Sequence, residues 1–193
     1  MAEDTQSGAT RDGRFGDLPW RRGATRGAGA FGAALLGVGA LVLIERALSG
    51  DLAGLAAETE GLAENPLYAA GWLFYNAHLV GVIVGGEAVN LVDALRTSGT
   101  VPASLVYAVP PPALYLAGNA VAHATSHEDD ERGRRALLGA TVVAGYLPLV
   151  LVGAVAFTVD GVGPSPVGAL VFAGLGYPLV LGGLGGYMAT AKD

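Results

Sequence analysis

LYAAGWLFYNAHLVGVIVGGE, residues 67–87, is the stretch on which the fold turns. It carries no charge before Glu87, and its interior polar side chains are Asn76 and His78. Asn65-Pro66 precedes it, a side-chain cap followed by proline at the first helical position. Twenty or so residues at about 1.5 Å each cross roughly 30 Å of hydrocarbon, so the pattern predicts a transmembrane helix over 66–88. Asn76 and His78 then lie about 15 to 18 Å along it, near mid-bilayer.

The rest of the chain has the same character. It has 193 residues, 52% of them hydrophobic and 15% charged, with a mean hydropathy of +0.48. A soluble domain carries about 25% charge. Charges crowd into 1–26, 45–64, 87–96 and 128–135. The runs between them predict spans over 27–48, 66–88, 103–124, 136–159 and 166–190. The expected fold is therefore all-α, a polytopic transmembrane bundle of about five helices over 27–193, behind a disordered polar tail at 1–26. Its expected place is the cell membrane, with the lipid bilayer as its first partner. Ser165-Pro166 offers a second capped helix start. In the first loop, Leu52, Leu55 and Leu62 at near-helical spacing fit a short interfacial helix, while Glu58, Glu60 and Glu64 fit an acidic solvated loop equally well.

Ten arginines and one lysine face 17 acids, and the sequence pI is near 4.9. That balance suits a high-salt organism and argues against nucleic acid as a partner. With no cysteine, disulfides and thiolate metal sites are excluded. Arg21, Arg22 and Arg26 stand before the first span, which is too long for a signal h-region and is followed by no A-x-A-like site, so it is read as retained. By the positive-inside rule the N-terminus is cytoplasmic. Five crossings then put Arg132, Arg134 and Arg135 outside, against the same rule, and a missed or half crossing near 89–110 would remove the conflict.

VYAVPPPALYLAGN, residues 106–119, sets three prolines inside the predicted third span. Pro110, Pro111 and Pro112 cannot donate to the carbonyls of Val106, Tyr107 and Ala108, and they push the residues before them out of the α region. Two readings stand: a broken span facing its neighbours at mid-depth, or a helix that begins at Pro110 after an extended entry over 97–109. In the first, Asn76, His78 or both donate to the freed carbonyls, and these residues with the triplet form a polar intramembrane centre. His78 is then either a proton or ligand site or a hydrogen-bonded packing residue. Glu87, Asn90 and Asp93, three apart, read as a stripe on one helical face.

His123 and His127 share a helical face if that helix continues far enough, a loose metal site without a third ligand. No metal or cofactor is expected. Gly81-x-x-x-Gly85 and Gly182-x-x-x-Gly186 are candidate helix-packing motifs. AGYLPLVLVG (144–153) echoes GLGYPLVLGG (174–183), with Pro148 aligned to Pro178; an inverted repeat and chance similarity both account for it. The chain has no HExxH, nucleophile elbow, phosphate loop or dinucleotide fingerprint, so enzymatic chemistry has little to work with.

The stretch Gly71-Trp72-Leu73-Phe74-Tyr75-Asn76-Ala77-His78, the Trp20-Arg21-Arg22-Gly23 start and the span pattern resemble a group of haloarchaeal multi-spanning membrane proteins of unknown function. Some members are loosely labelled transporters. The resemblance implies no substrate and no mechanism. The leading expectation is a small transporter or channel-like protein, working as a homo-oligomer or with a membrane protein partner. The alternative is a non-transport structural or assembly subunit.

Overall fold

The computed structural model describes residues 17–190. Four helices are long and apolar enough to cross a membrane: α1 (Trp20–Ser49), α5 (Ser104–Thr125), α6 (Arg132–Ala156) and α7 (Pro166–Tyr187). Between α1 and α5 lie the short α2 (Ala53–Ala57), a 3-10 turn at Leu62–Glu64, α3 (Pro66–Ala77), a hairpin of β1 (Val82–Val84) and β2 (Glu87–Val89), and α4 (Leu91–Ser98). Strand β3 (Gly163–Pro164) pairs antiparallel with the other side of β1.

α1 starts seven residues before the predicted 27, because Trp20–Arg26 continues its helix; the part of the predicted tail over 1–16 lies outside the described residues. α1 packs on α3, α5 and α6, and α7 packs on α5 and α6. Small residues set the α1/α6 crossing. A Cβ on Gly27 would meet the Val142 carbonyl oxygen at 1.9 Å, and one on Gly145 the Ala24 oxygen at 1.8 Å. Without a hydrophobic drive between helices in lipid, backbone contact of this kind supplies the attraction. The outward faces carry Leu36, Val155, Val167 and Val180, each more than two-thirds exposed, as suits side chains meeting acyl chains.

The decisive stretch departs from the predicted span. α3 stops at Ala77 after 12 residues, a rise of about 18 Å. Leu79 takes a left-handed φ of 62°. The following VIVGGEAV then forms a two-residue hairpin, with Val84 paired to Glu87 and Gly85 and Gly86 at φ 57° and 88°. Positive φ at both turn residues is the geometry that suits a right-twisted hairpin, and two glycines adopt it without strain. The segment enters the bundle and turns back without traversing it. Gly81 and Gly85 accordingly lie beside and within a hairpin, where they cannot form a helix-packing motif. Glu87, Asn90 and Asp93 do not share a helical face either: Glu87 is in β2, Asn90 caps α4 through the Val92 N–H at 3.1 Å, and Asp93 pairs with Arg96 at 3.1 Å.

The proline triplet interrupts the helical bonding at Val109 without making the chain extended there. Ser104–Ala108 is helical, Val109 stays in the α region at φ −77° and ψ −52°, and Pro110 to Pro112 form the first turn of the longer section, Pro110–Thr125. Having no N–H groups, the three prolines leave the i→i−4 bonds across Val109 unmade, and helical bonding resumes beyond them. The Val106 carbonyl still receives the Val109 N–H at 3.4 Å. Of the expected extended entry over 97–109 only 99–103 is free of helix, between α4 and Ser104–Ala108, and Val109 is not extended.

Candidate functional site

The polar groups that sequence places at mid-depth sit on α3 and bond to α6, α7 and the hairpin. The Trp72 indole N–H donates to the Phe157 carbonyl at 2.7 Å. The Tyr75 hydroxyl donates to the Val150 carbonyl. His78 Nε2 lies 2.7 Å from the Tyr146 hydroxyl. Residues 72, 75 and 78 ascend α3 by threes, and their partners 157, 150 and 146 descend α6 along one face. The two antiparallel elements are thus joined by a ladder of three side-chain hydrogen bonds.

His78 is fully buried, and both ring nitrogens are engaged. Nδ1 lies 2.7 Å from the Phe74 carbonyl oxygen. A carbonyl only accepts, so Nδ1 carries the proton. In the neutral ring, Nε2 then accepts from the Tyr146 hydroxyl. The ring packs against Phe74 and Tyr177, with centroids 4.5 and 4.8 Å away. Tyr177 lies between two stretches of α7 wound with i→i+5 bonds, Ala169–Gly176 and Pro178–Gly182, and its hydroxyl donates to the Ala77 carbonyl at 3.1 Å. That donation answers a carbonyl at the C-terminus of α3 that has no partner within its own helix.

Asn76 does a different job. Its Nδ2 donates to the Val80 carbonyl, and its Oδ1 accepts the Leu91 N–H, both at 2.7 Å. Val80 precedes β1 and Leu91 follows β2, so one buried amide clamps both legs of the hairpin. Asn76 and His78 therefore bond to carbonyls and groups near themselves and on α6, and the expected donation to the carbonyls of 106–108 is not formed. Pro110 is buried, Pro111 half-buried and Pro112 exposed. The structure does not bring the triplet and the two polar side chains into one hydrogen-bonded centre.

Gly182 and Gly186 face α6: a Cβ on the first would meet Val142 Cγ2 at 2.5 Å, and one on the second the Arg135 carbonyl oxygen at 2.3 Å. His123 and His127 part company because the helix ends at Thr125. His123 Nδ1 contacts the Thr190 carbonyl at 3.0 Å, and the His127 N–H donates to Asp130. Among the described residues no group of three histidines or carboxylates could hold a metal.

A model of a family described only as a family of unknown function (DUF7978) matches residues 2–193. The chain belongs to the DUF7978 family. No curated protein and no solved structure matched it. In this DUF7978 chain, then, roles have to be read from contacts alone.

Two such roles escaped the sequence reading. Glu45, near the end of α1 and 4% exposed, accepts the Thr100 N–H at 2.9 Å and the Val101 N–H at 2.6 Å, holding the strand of chain that leads from α4 into α5. Its position at the edge of an apolar run makes it look like an ordinary interface charge. Tyr146 and Tyr177 receive and secure the α3 end of this DUF7978 fold, yet a tyrosine in a span reads as an interface anchor. Their sequence signal is weak, a Gly-Tyr in each of 144–153 and 174–183 that falls one residue out of register when Pro148 is aligned with Pro178.

Proposed function

We propose that this chain is a membrane-embedded structural or assembly subunit, without a transport pathway through its polar centre. The observation that supports this is the closure of the α3 ladder: Trp72, Tyr75, Asn76 and His78 are buried, and every polar atom discussed above is spent on a neighbouring element. A transported ion or solute needs polar groups that can exchange partners with water, and a saturated cluster offers none. The same saturated cluster offers enzymatic chemistry no open nucleophile or acid-base pair.

The orientation that fits best puts both ends of the described chain in the cytoplasm. Arg22 donates to the Ala124 carbonyl, Arg132 stacks over Tyr187 at 5.6 Å, and His123 meets Thr190, so Arg21, Arg22, Arg26, Arg132, Arg134 and Arg135 share one end. Arg46 and Arg96, the other two arginines among residues 17–190, lie toward the opposite end, where Arg46 reaches the Glu64 carbonyl. Four crossings and one half crossing satisfy the positive-inside rule at every loop. The acidic balance further supports a high-salt habitat.

Liposome reconstitution tests the proposal. Wild type and His78→Ala are expected to show the same background leak of protons, alkali cations and small solutes, with the variant losing thermal stability. A wild-type flux that His78→Ala abolishes while the variant stays folded would restore the transporter reading.

A further inference from the structure

A groove of about 1040 Å³ runs between the N-terminal half of α1 and the C-terminal half of α5, and its two ends differ in chemistry. Arg21, Arg22 and Arg26 line its mouth. Gly29 and Ala33 of α1, with Leu116 and Ala120 of α5, line its length. All three arginines are exposed, and among the described residues no carboxylate pairs with them. Arg22 spends one N–H on the Ala124 carbonyl at 2.8 Å, which fixes its guanidinium at the rim and leaves its other donors open.

We infer that this groove binds one anionic phospholipid, with its phosphate at the three guanidiniums and one acyl chain along the small residues. Charge complementarity chooses the head: planar guanidiniums match phosphate oxygens, and cations at the membrane surface attract anionic lipid. Small side chains choose the tail. From Arg22 to Ala33 the helix rises about 16 Å, roughly the hydrocarbon depth of one leaflet. Gly29 faces open space, since a Cβ there would meet nothing within 4 Å. The inference depends on the bilayer and not on the assembly role, so either can fail alone.

The test is native mass spectrometry of the full chain released from bilayers of equimolar phosphatidylglycerol and phosphatidylcholine with identical acyl chains. Wild type should retain phosphatidylglycerol over phosphatidylcholine by about tenfold. Arg21→Gln/Arg22→Gln/Arg26→Gln should return that ratio to unity. Gly29→Leu should lower total retained lipid by a similar factor with unchanged melting temperature, because it fills the groove without touching the helix packing. The inference is overturned if wild type shows no headgroup preference, if the preference survives the triple substitution, or if Gly29→Leu retains lipid like wild type. It is equally overturned if glycerol phosphate alone displaces the bound lipid completely, which would make the site an anion site without a tail groove.

Discussion

His78 Nε2 and the Tyr146 hydroxyl stand 2.7 Å apart across the α3/α6 contact, while the other nitrogen of the same ring is held at 2.7 Å by the Phe74 carbonyl. One imidazole thereby ties the buried end of a short helix both to itself and to a long helix. Tyr146→Phe removes the donor and leaves a buried lone pair, an expected cost of about 1–3 kcal/mol. In a double-mutant cycle with His78→Ala, the coupling energy should fall near the 0.6–1.7 kcal/mol measured for such pairs in membranes. Reversible unfolding in mixed micelles reads both quantities, and a coupling of zero would dissolve the bond as a structural element.

Asn76 clamps the hairpin by both its legs, and its loss should be felt there first. Asn76→Leu keeps the bulk and orphans the Val80 carbonyl and the Leu91 N–H, costing about 2–4 kcal/mol as two unsatisfied buried groups. Hydrogen exchange over 80–91 should accelerate well before exchange in α6. Uniform acceleration across the bundle would count against a local clamp.

Glu45 should behave as an acceptor for backbone N–H groups and not as a surface charge. Glu45→Ala leaves the Thr100 and Val101 N–H groups without their partner, with an expected loss of about 1–3 kcal/mol and faster exchange at 100–103. Glu45→Gln retains one oxygen and should lose less. If both variants match wild type, water replaces the carboxylate and the contact carries no stability.

Backbone contact between α1 and α6 makes a sharp contrast between two glycines two positions apart. Gly27→Leu collides with the Val142 carbonyl and should cost several kcal/mol or abolish folding, whereas Gly29→Leu meets open space. Comparable melting temperatures for the two variants would refute this crossing.

The proline triplet gives an inverse prediction. Because the prolines fill the first turn of a helix section, Pro111→Ala should change stability by less than about 1 kcal/mol in either direction. A loss above about 3 kcal/mol would indicate that an extended segment, not a helical Val109, precedes them.

Much of the architecture is legible in the sequence, and the failures share one cause. Long apolar runs set off by charge and by Asn65-Pro66 and Ser165-Pro166 mark helices that begin at Pro66 and Pro166. Hydropathy alone, however, does not tell a helix from a buried hairpin: VIVGGEAV is as apolar as a span, and only its β-branched residues around Gly85-Gly86 betray the turn. Prolines likewise read as a break from their interior position in the run, although a helix restart hides that. Equal depth on the next span points Asn76 and His78 to the wrong partners, because Asn76 bonds to the chain just after its own helix and His78 to α6, contacts that depend on where α3 ends. The glycines that bring α1 against α6, Gly23 and Gly27, do share the four-residue spacing of a packing motif, and that signal was present in RRGATRG.

The half crossing is the claim on which the rest stands, and the side on which its two flanking segments lie tests it directly. The chain contains no cysteine, so Glu58→Cys and Thr97→Cys can each be introduced alone and labelled with a membrane-impermeant maleimide in right-side-out and inverted vesicles. The two positions, one just after α2 and one near the end of α4, flank residues 66–88, and α3 with its hairpin is expected to leave both on the same, external face, labelling only in right-side-out vesicles. Labelling of Glu58→Cys from one side and Thr97→Cys from the other would mean that 66–88 crosses the bilayer completely, and would contradict the fold and the ladder built on it.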